Sequence, residues 1–286
     1  MTRLFCIYFD RRPLWQSDCV IPIQAGRART GLALDDMIGD DTGDSISAEN
    51  LRYGEITAWY WVWRNYLPAH PEIDHVGFCH YRRFLDFADL GHGKKYRTSY
   101  RAFSSEFKRF YNEAQINAAV RDCDLVMRRT EHCKAPTPRD EFVRAHPLNA
   151  ADWDLFERIV RERSPESAAA IDAALSAPRL AQELQFVMRR DVFLDFMDWA
   201  YACCREFERR SSWSGEAEGA RARIPAFLIE RFFMVWLAMR RQSPAFKVRE
   251  LSMVKLTGRP WWYRLVKPFV SLLPYRLNRK VYDKFK

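Results

Sequence analysis

Hydrophobic residues first gather in a short run at positions 3–9 (RLFCIYF), rich in β-formers and stopped by Asp10-Arg11-Arg12-Pro13. A run of that length, bounded by charge and proline, predicts a buried strand followed by a loop. Residues 19–24 predict a second extended piece, and the acidic, glycine-containing stretch 35–49 predicts a loop ending near a helix start at Ser47. Then the period changes. Ile56, Trp59, Tyr60 and Trp63 stand at i, i+3, i+4 and i+7, which predicts one helix over 50–67, closed by Pro68 and Pro71. Residues 73–79 (IDHVGFC) predict another buried strand, running straight into His80-Tyr81-Arg82-Arg83. Residues 94–111, basic and aromatic, predict a loop plus helix. Further strands are predicted at 124–127 and 186–188, and helices within 152–174, 191–210 and 225–241, with 211–222 a loop. Strands alternating with helices, and no internal repeat, predict an α/β fold.

Composition narrows this picture. Of the 286 residues 48% are hydrophobic and 15% aromatic, far from the make-up of a disordered chain. The formal charge of +9 sits wholly in residues 247–286, where eleven Lys and Arg face only Glu250 and Asp283; the remainder is balanced. Seven cysteines form an odd set without a CxxC pair, which points to neither a disulfide framework nor a structural metal and fits a reducing compartment. The apolar run at the N-terminus is too short for a secretory signal, and no run approaches the roughly 18 apolar residues of a membrane span. A cytoplasmic protein, peripheral to a membrane at most, is expected. The segment 260–286 (PWWYRLVKPFVSLLPYRLNRKVYDKFK) mixes aromatics with cations and suits an anionic membrane surface. Nucleic acid is the competing partner for such a segment, but no nucleic-acid motif accompanies it.

Two stretches carry candidate chemistry. Asp40-Asp41-Thr42-Gly43-Asp44 groups carboxylates on a turn, suited to a divalent ion, to sugar and ribose hydroxyls, or simply to solvent. In His80-Tyr81-Arg82-Arg83, extended geometry puts His80 and Arg82 on one side and Tyr81 and Arg83 on the other. Two guanidiniums at a strand end make a diphosphate clamp, or else pair with nearby acids. Asp122-Cys123-Asp124 falls at a strand start and Asp152-Trp153-Asp154 at a helix start, neither of which suits a metal.

Taken in order, PIQAG, IGDDTGDSISAEN, YGEITAWYWVWRN, VGFCHYRRFL, FVMRRDVFLDFMDW and FLIERFFMVWL resemble a bacterial family first catalogued as a domain of unknown function. Its members sit in capsular, exopolysaccharide and O-antigen pathways and are regarded as glycosyltransferases of the GT-A type; the similarity covers about residues 3–255. The resemblance implies a GT-A-like, Rossmann-like mixed sheet flanked by helices over 1–255, with 256–286 a basic amphipathic extension. It implies a nucleotide-sugar site at the carboxyl ends of the first strands, where such enzymes usually carry a DxD metal motif. CHYRR falls at that place. Arg82 and Arg83, with His80, are therefore expected to stand in for the metal, so that no cofactor is required and Mn or Mg is the alternative. FLIER matches the family's Gly-Phe-Leu-x-Glu-Arg pattern and makes Glu230 the expected catalytic base. Gln24, Asp40, Asp41, Asp44, Tyr81 and Arg231 join His80, Arg82 and Arg83 as the expected donor-binding set. Two departures stand out: Ala226 replaces the family's glycine, and Leu184-Gln185 replaces its Asn-Met. His146, in RAHP, matches a family histidine. The expected reaction moves a hexose, galactose or galactofuranose among the candidates, from a UDP-sugar to a lipid-linked glycan with inversion. The alternative is a non-catalytic interaction protein of the same assembly machinery.

Overall fold

The computed structural model describes residues 1–88, 96–98, 105–145, 149–211 and 222–256. Strand β1 (Thr2–Tyr8) is the first apolar run, and its side chains alternate between two cores: Phe5 and Ile7 enter one, Leu4, Cys6 and Tyr8 the other. Burial on both faces is why the run reads as continuously apolar. Strands β2 (Val20–Gln24), β3 (Ile38–Gly39) and β4 (His75–His80) lie parallel to it, β2 and β4 flanking β1 and β3 continuing from β2.

Next along the chain come β5 (Arg83–Leu85), β6 (Tyr96–Thr98), β7 (Leu125–Arg128), the small antiparallel pair β8 (Glu131–His132) and β9 (Arg179–Leu180), β10 (Phe186–Arg189), β11 (Val248–Leu251) and β12 (Met253–Leu256). The main sheet runs β11-β7-β10-β4-β1-β2-β3, with β10 antiparallel to both neighbours; β5, β12 and β6 branch from the end of β4. Helices cover both faces. Those at Ala150–Arg163, Arg190–Arg210 and Ile224–Arg240 pack over the larger core, whereas Ser105–Phe110 and Glu113–Val120 cover the core that Tyr8 enters. This is the α/β class expected, a mixed sheet flanked by helices. Gly77 lets β10 approach β4 closely: a Cβ there would lie 2.7 Å from the Phe186 carbonyl oxygen.

Three expectations need correction. The helix expected over 50–67 is broken into Asn50–Tyr53 and Ile56–Trp61, followed by a widened π turn, Val62–Tyr66, and a last short piece, Leu67–Ala69. The break is at Gly54, whose φ of 58° and ψ of −129° only glycine adopts readily. Asn50 Nδ2 and Thr57 Oγ1 donate to the Gly54 carbonyl at 2.7 and 3.0 Å, so the break is pinned by buried hydrogen bonds rather than frayed. Strands β5, β11 and β12 were not expected, because Arg83, Arg249 and Lys255 interrupt the apolar pattern. The helix Pro138–Ala145 was not among the helices expected; Pro138 sits where a helix begins. The basic tail from 257 onward and His146 lie outside the described residues.

Candidate active site

The parallel strands end in step, at Tyr8, Gln24, Gly39 and His80. At about 4.8 Å per strand, that carboxyl edge is roughly 14 Å long from β4 to β3. Strand β4 does not run on as an extended segment. The chain turns at Tyr81-Arg82, and Arg83 pairs back antiparallel to His80 as the start of β5. The alternation expected along His80-Arg83 is therefore replaced by a tight hairpin, with Leu256 N–H donating to the Arg82 carbonyl at 2.8 Å.

A cavity of about 350 Å³, a size that suits a small ligand, opens beside this hairpin. Its wall comprises Phe9 after β1, Tyr53, Glu55 and Ile56 around the Gly54 break, the hairpin itself, Glu183-Leu184 before β10, and the first turns of the helix carrying Ala226, Phe227, Ile229 and Glu230, with Arg223 ahead of it. Both positions at which the chain departs from the family pattern, Ala226 and Leu184, are among them.

The hairpin's two guanidiniums have different states. Arg82 lies over the Tyr81 ring at 5.6 Å and makes no hydrogen bond or ion pair among the described residues; its Nε is buried and unpartnered. Arg83 is engaged by Glu183 at 2.9 Å, an oxygen it shares with Lys255 at 3.2 Å, while Arg128 reaches the other oxygen at 3.8 Å. Burial by itself would raise the Glu183 pKa, but Arg83, Lys255 and Arg128 outweigh it and hold the carboxyl below its usual range. Glu183 also has φ of 53°, a left-handed backbone rare for a residue other than glycine and common near functional sites.

His80, expected to add positive charge, does not. Burial first, then Arg83, Arg82 and Lys255, push its pKa down to about 2, so the ring is neutral, with Nδ1 buried and unpartnered. It is a hydrogen-bonding group rather than a cation. Tyr81 stacks on Tyr8 at 5.9 Å and is flanked by the guanidiniums of Arg12 and Arg82.

Glu230 is in the wall, and both its oxygens are held. One accepts the Glu183 N–H at 2.7 Å, the other a guanidinium N–H of Arg231 at 2.8 Å. Burial raises its pKa and Arg231 opposes that rise. Arg231 itself, expected to touch the donor, is 2% exposed and packs behind the carboxylate against Phe142, so it supports Glu230 instead of lining the cavity.

The residue that sequence reasoning missed is Glu55. Its carboxylate lies in the wall and makes no hydrogen bond or ion pair among the described residues. Burial raises its pKa from 4.5 to about 7; Glu230 and Glu183 push the same way, while Arg83 and Arg223 oppose. Within YGEIT the only signal is a carboxylate beside a glycine.

The acidic loop lies elsewhere on the carboxyl edge and contributes nothing to the cavity wall. Asp40 is fully buried and accepts from Gly26 N–H at 2.8 Å, Arg27 N–H at 3.2 Å and the Ser47 hydroxyl. Gln24 is likewise used up: its oxygen accepts from Arg27 Nε and Leu34 N–H, and its nitrogen donates to Leu32. These two residues fasten the loop to β2 and are not free to bind a donor. Asp44 accepts from the Tyr60 hydroxyl and Arg64 Nε, both at 2.8 Å, and Arg64, then Tyr60, lower its pKa. Among the described residues Asp41 has only a distant ion pair, 3.9 Å to Arg27.

Neither DxD pair fits a metal. Asp124 accepts from Lys247 N–H and pairs with Arg189 at the opposite edge of the sheet. Asp152 forms a capping box with Asn149, and Asp154 pairs with Arg139 at 2.9 Å. Among the described residues no three His, Cys, Asp or Glu side chains gather where they could hold an ion.

Residues 3–242 match the model of a family described as a domain of unknown function, DUF4422. The chain belongs to this family. No curated protein matches it. Among solved structures, the fold is similar to the apo structure of WbbM, a bifunctional glycosyltransferase, with a TM-score of 0.81 and 25% identity over 89% of this chain. The match covers 45% of that protein, so this chain spans a little under half of its length. Among the described residues of this family member, no helix is long and apolar enough to cross a membrane.

Proposed function

We propose that this chain is a glycosyltransferase of the GT-A type that transfers a hexose from a UDP-sugar to a lipid-linked glycan during surface-polysaccharide assembly. One observation carries the reading: a cavity at the carboxyl end of β4 combines an arginine unpaired among the described residues, Arg82, with two carboxylates in its wall, Glu55 and Glu230. A ligand that is anionic at one end and neutral and hydroxylated at the other matches that charge pattern. The similarity to a bifunctional glycosyltransferase supports the class of reaction.

In the step proposed, an acceptor hydroxyl oxygen attacks the anomeric carbon. The bond from that carbon to the diphosphate oxygen breaks, UDP leaves with the electron pair, and the hydroxyl proton passes to a carboxylate of the cavity. Arg82 supplies positive charge where the diphosphate develops negative charge, the electrostatic term on which such a displacement most depends. Arg83 shares this task by exchanging Glu183 for phosphate oxygens, and neutral His80 offers a hydrogen bond. Displacement in a single step inverts the anomeric carbon, and one placed carboxylate suffices for it. Galactose and galactofuranose are the leading donor sugars. The basic aromatic segment 260–286 would hold the protein on the anionic inner face of the cell membrane, beside a lipid-linked acceptor.

Isothermal titration of UDP into wild type and Arg82→Ala tests the location of the site. Loss of a charge-assisted contact predicts about 10- to 100-fold weaker binding in the variant. Equal affinities would remove Arg82 from the donor site, and no UDP binding at all would sink the reading.

A further inference from the structure

The chain carries a helix break at Gly54. Its effect is local. It ends Asn50–Tyr53, restarts the helix at Ile56, and leaves Glu55 at the junction, in the cavity wall. Asn50 and Thr57 lock the junction through the Gly54 carbonyl and through each other, Asn50 Nδ2 donating to Thr57 Oγ1 at 3.0 Å. Gly54 lies under Arg223, a Cβ there falling 3.3 Å from its guanidinium. The fold thus spends a glycine and two buried polar side chains on presenting one carboxylate.

Three carboxylates border the cavity; Glu183 is neutralised by Arg83, Lys255 and Arg128, and the other two, Glu55 and Glu230, are not equivalent. Glu230 is fixed by Glu183 N–H and Arg231, which occupy both oxygens. A carboxylate so bound is well oriented, and its hydrogen bonds stabilise the ionised form and so oppose the rise that burial gives its pKa. Glu55 has no such partner among the described residues. The charged groups facing it are Arg83 from β5, Arg223 and Glu230 from either end of the first turns of the helix that begins at Ile224, and Glu183 from the loop before β10. Two are cations and two are anions, so their effects largely offset and burial dominates.

We infer that Glu55, rather than Glu230, accepts the proton of the attacking hydroxyl, and that Glu230 is a positioning residue that holds Glu183 and the cavity wall in place. The inference rests on the glycosyltransferase reading. As acceptor oxygen bonds to the anomeric carbon, its O–H electrons stay on oxygen and the proton goes to a Glu55 carboxylate oxygen; UDP departs with the electrons of the broken bond. A base that ionises near neutrality is well matched to this task. Glu230→Gln would act through geometry, disturbing how substrates sit more than how the proton leaves.

The test uses the full chain and follows UDP release from UDP-hexoses as a function of pH in wild type, Glu55→Gln, Glu55→Asp and Glu230→Gln. In wild type, kcat/KM should rise as pH passes through about 7. Glu55→Gln should lose about 10²- to 10⁴-fold in kcat and lose that rise, while binding UDP as wild type does, which shows that it is folded. Glu55→Asp should recover part of the rate and restore a pH-dependent rise. Glu230→Gln should keep the rise. If the rise survives in Glu55→Gln, or disappears in Glu230→Gln while Glu55→Gln stays active, Glu55 is not the proton acceptor. A folded wild type that releases no UDP at any pH overturns the glycosyltransferase reading, and the role of Glu55 falls with it.

Discussion

Replacing Glu55 by glutamine should stabilise the protein at pH 8 and leave its stability nearly unchanged below pH 4.5. The native carboxyl titrates near 7 and the unfolded one near its ordinary value of 4.5, because burial penalises the charged form. Between those values the folded state holds a proton that the unfolded state has lost, so stability falls as pH rises through the window. Above 7 both states are ionised and the full cost is present. At 1.36 kcal/mol per pH unit, the ceiling is about 3 kcal/mol. The carboxylate borders a cavity that admits water, which reduces this to about 2 kcal/mol. Glutamine has the same shape and no charge, so it escapes the cost at every pH. Urea unfolding of both proteins at pH 5 and pH 8 reads the difference directly. A gap that widens by about 2 kcal/mol toward pH 8 is expected; a pH-independent gap, or a variant less stable at pH 8, would refute the claim that Glu55 is buried and unpaired. The expected gap marks Glu55 as a carboxylate that the fold tolerates at a cost in stability.

Other substitutions probe the frame around it. Glu183→Ala leaves Arg83, Lys255 and Arg128 facing one another without their shared anion and should cost about 3 kcal/mol, read as a lower urea midpoint. Gly77→Ala drives a methyl group to 2.7 Å from the Phe186 carbonyl and should cost about 1–3 kcal/mol by the same measurement, with UDP affinity little changed if it folds. Gly54→Ala forces alanine into a backbone conformation that excludes it, so it should lower stability by about 1–3 kcal/mol and also lower kcat, because Glu55 sits on the next residue.

Where the sequence pattern carried a period, it was legible. The apolar runs at 3–9 and 73–79 are β1 and β4, and the amphipathic stretches at 191–210 and 225–241 are helices nearly to the residue. The hairpin of His80 to Arg83 was found as a charge cluster at a strand end, which its composition announces. Its geometry was not, since nothing local distinguishes a strand that stops at His80 from one that continues. β5 and β12 each carry one cation, Arg83 and Lys255, that faces Glu183, and this made short strands look like solvated sequence. Asp40 and Gln24 looked like ligands because they are polar at a loop; only the fold shows that backbone N–H groups and Arg27 consume them. Glu55 was not singled out: it precedes the helical period of Ile56, Trp59 and Tyr60, and only the Gly54 turn shows that its carboxylate enters the cavity wall.

The most direct test of the account is UDP release from a panel of UDP-hexoses by the purified full chain, held in EDTA and compared with Arg82→Ala. The account predicts steady release by wild type without added metal, faster with acceptor glycan present, and loss of most of it in Arg82→Ala. No release from any UDP-sugar by folded protein, with or without manganese, would contradict it.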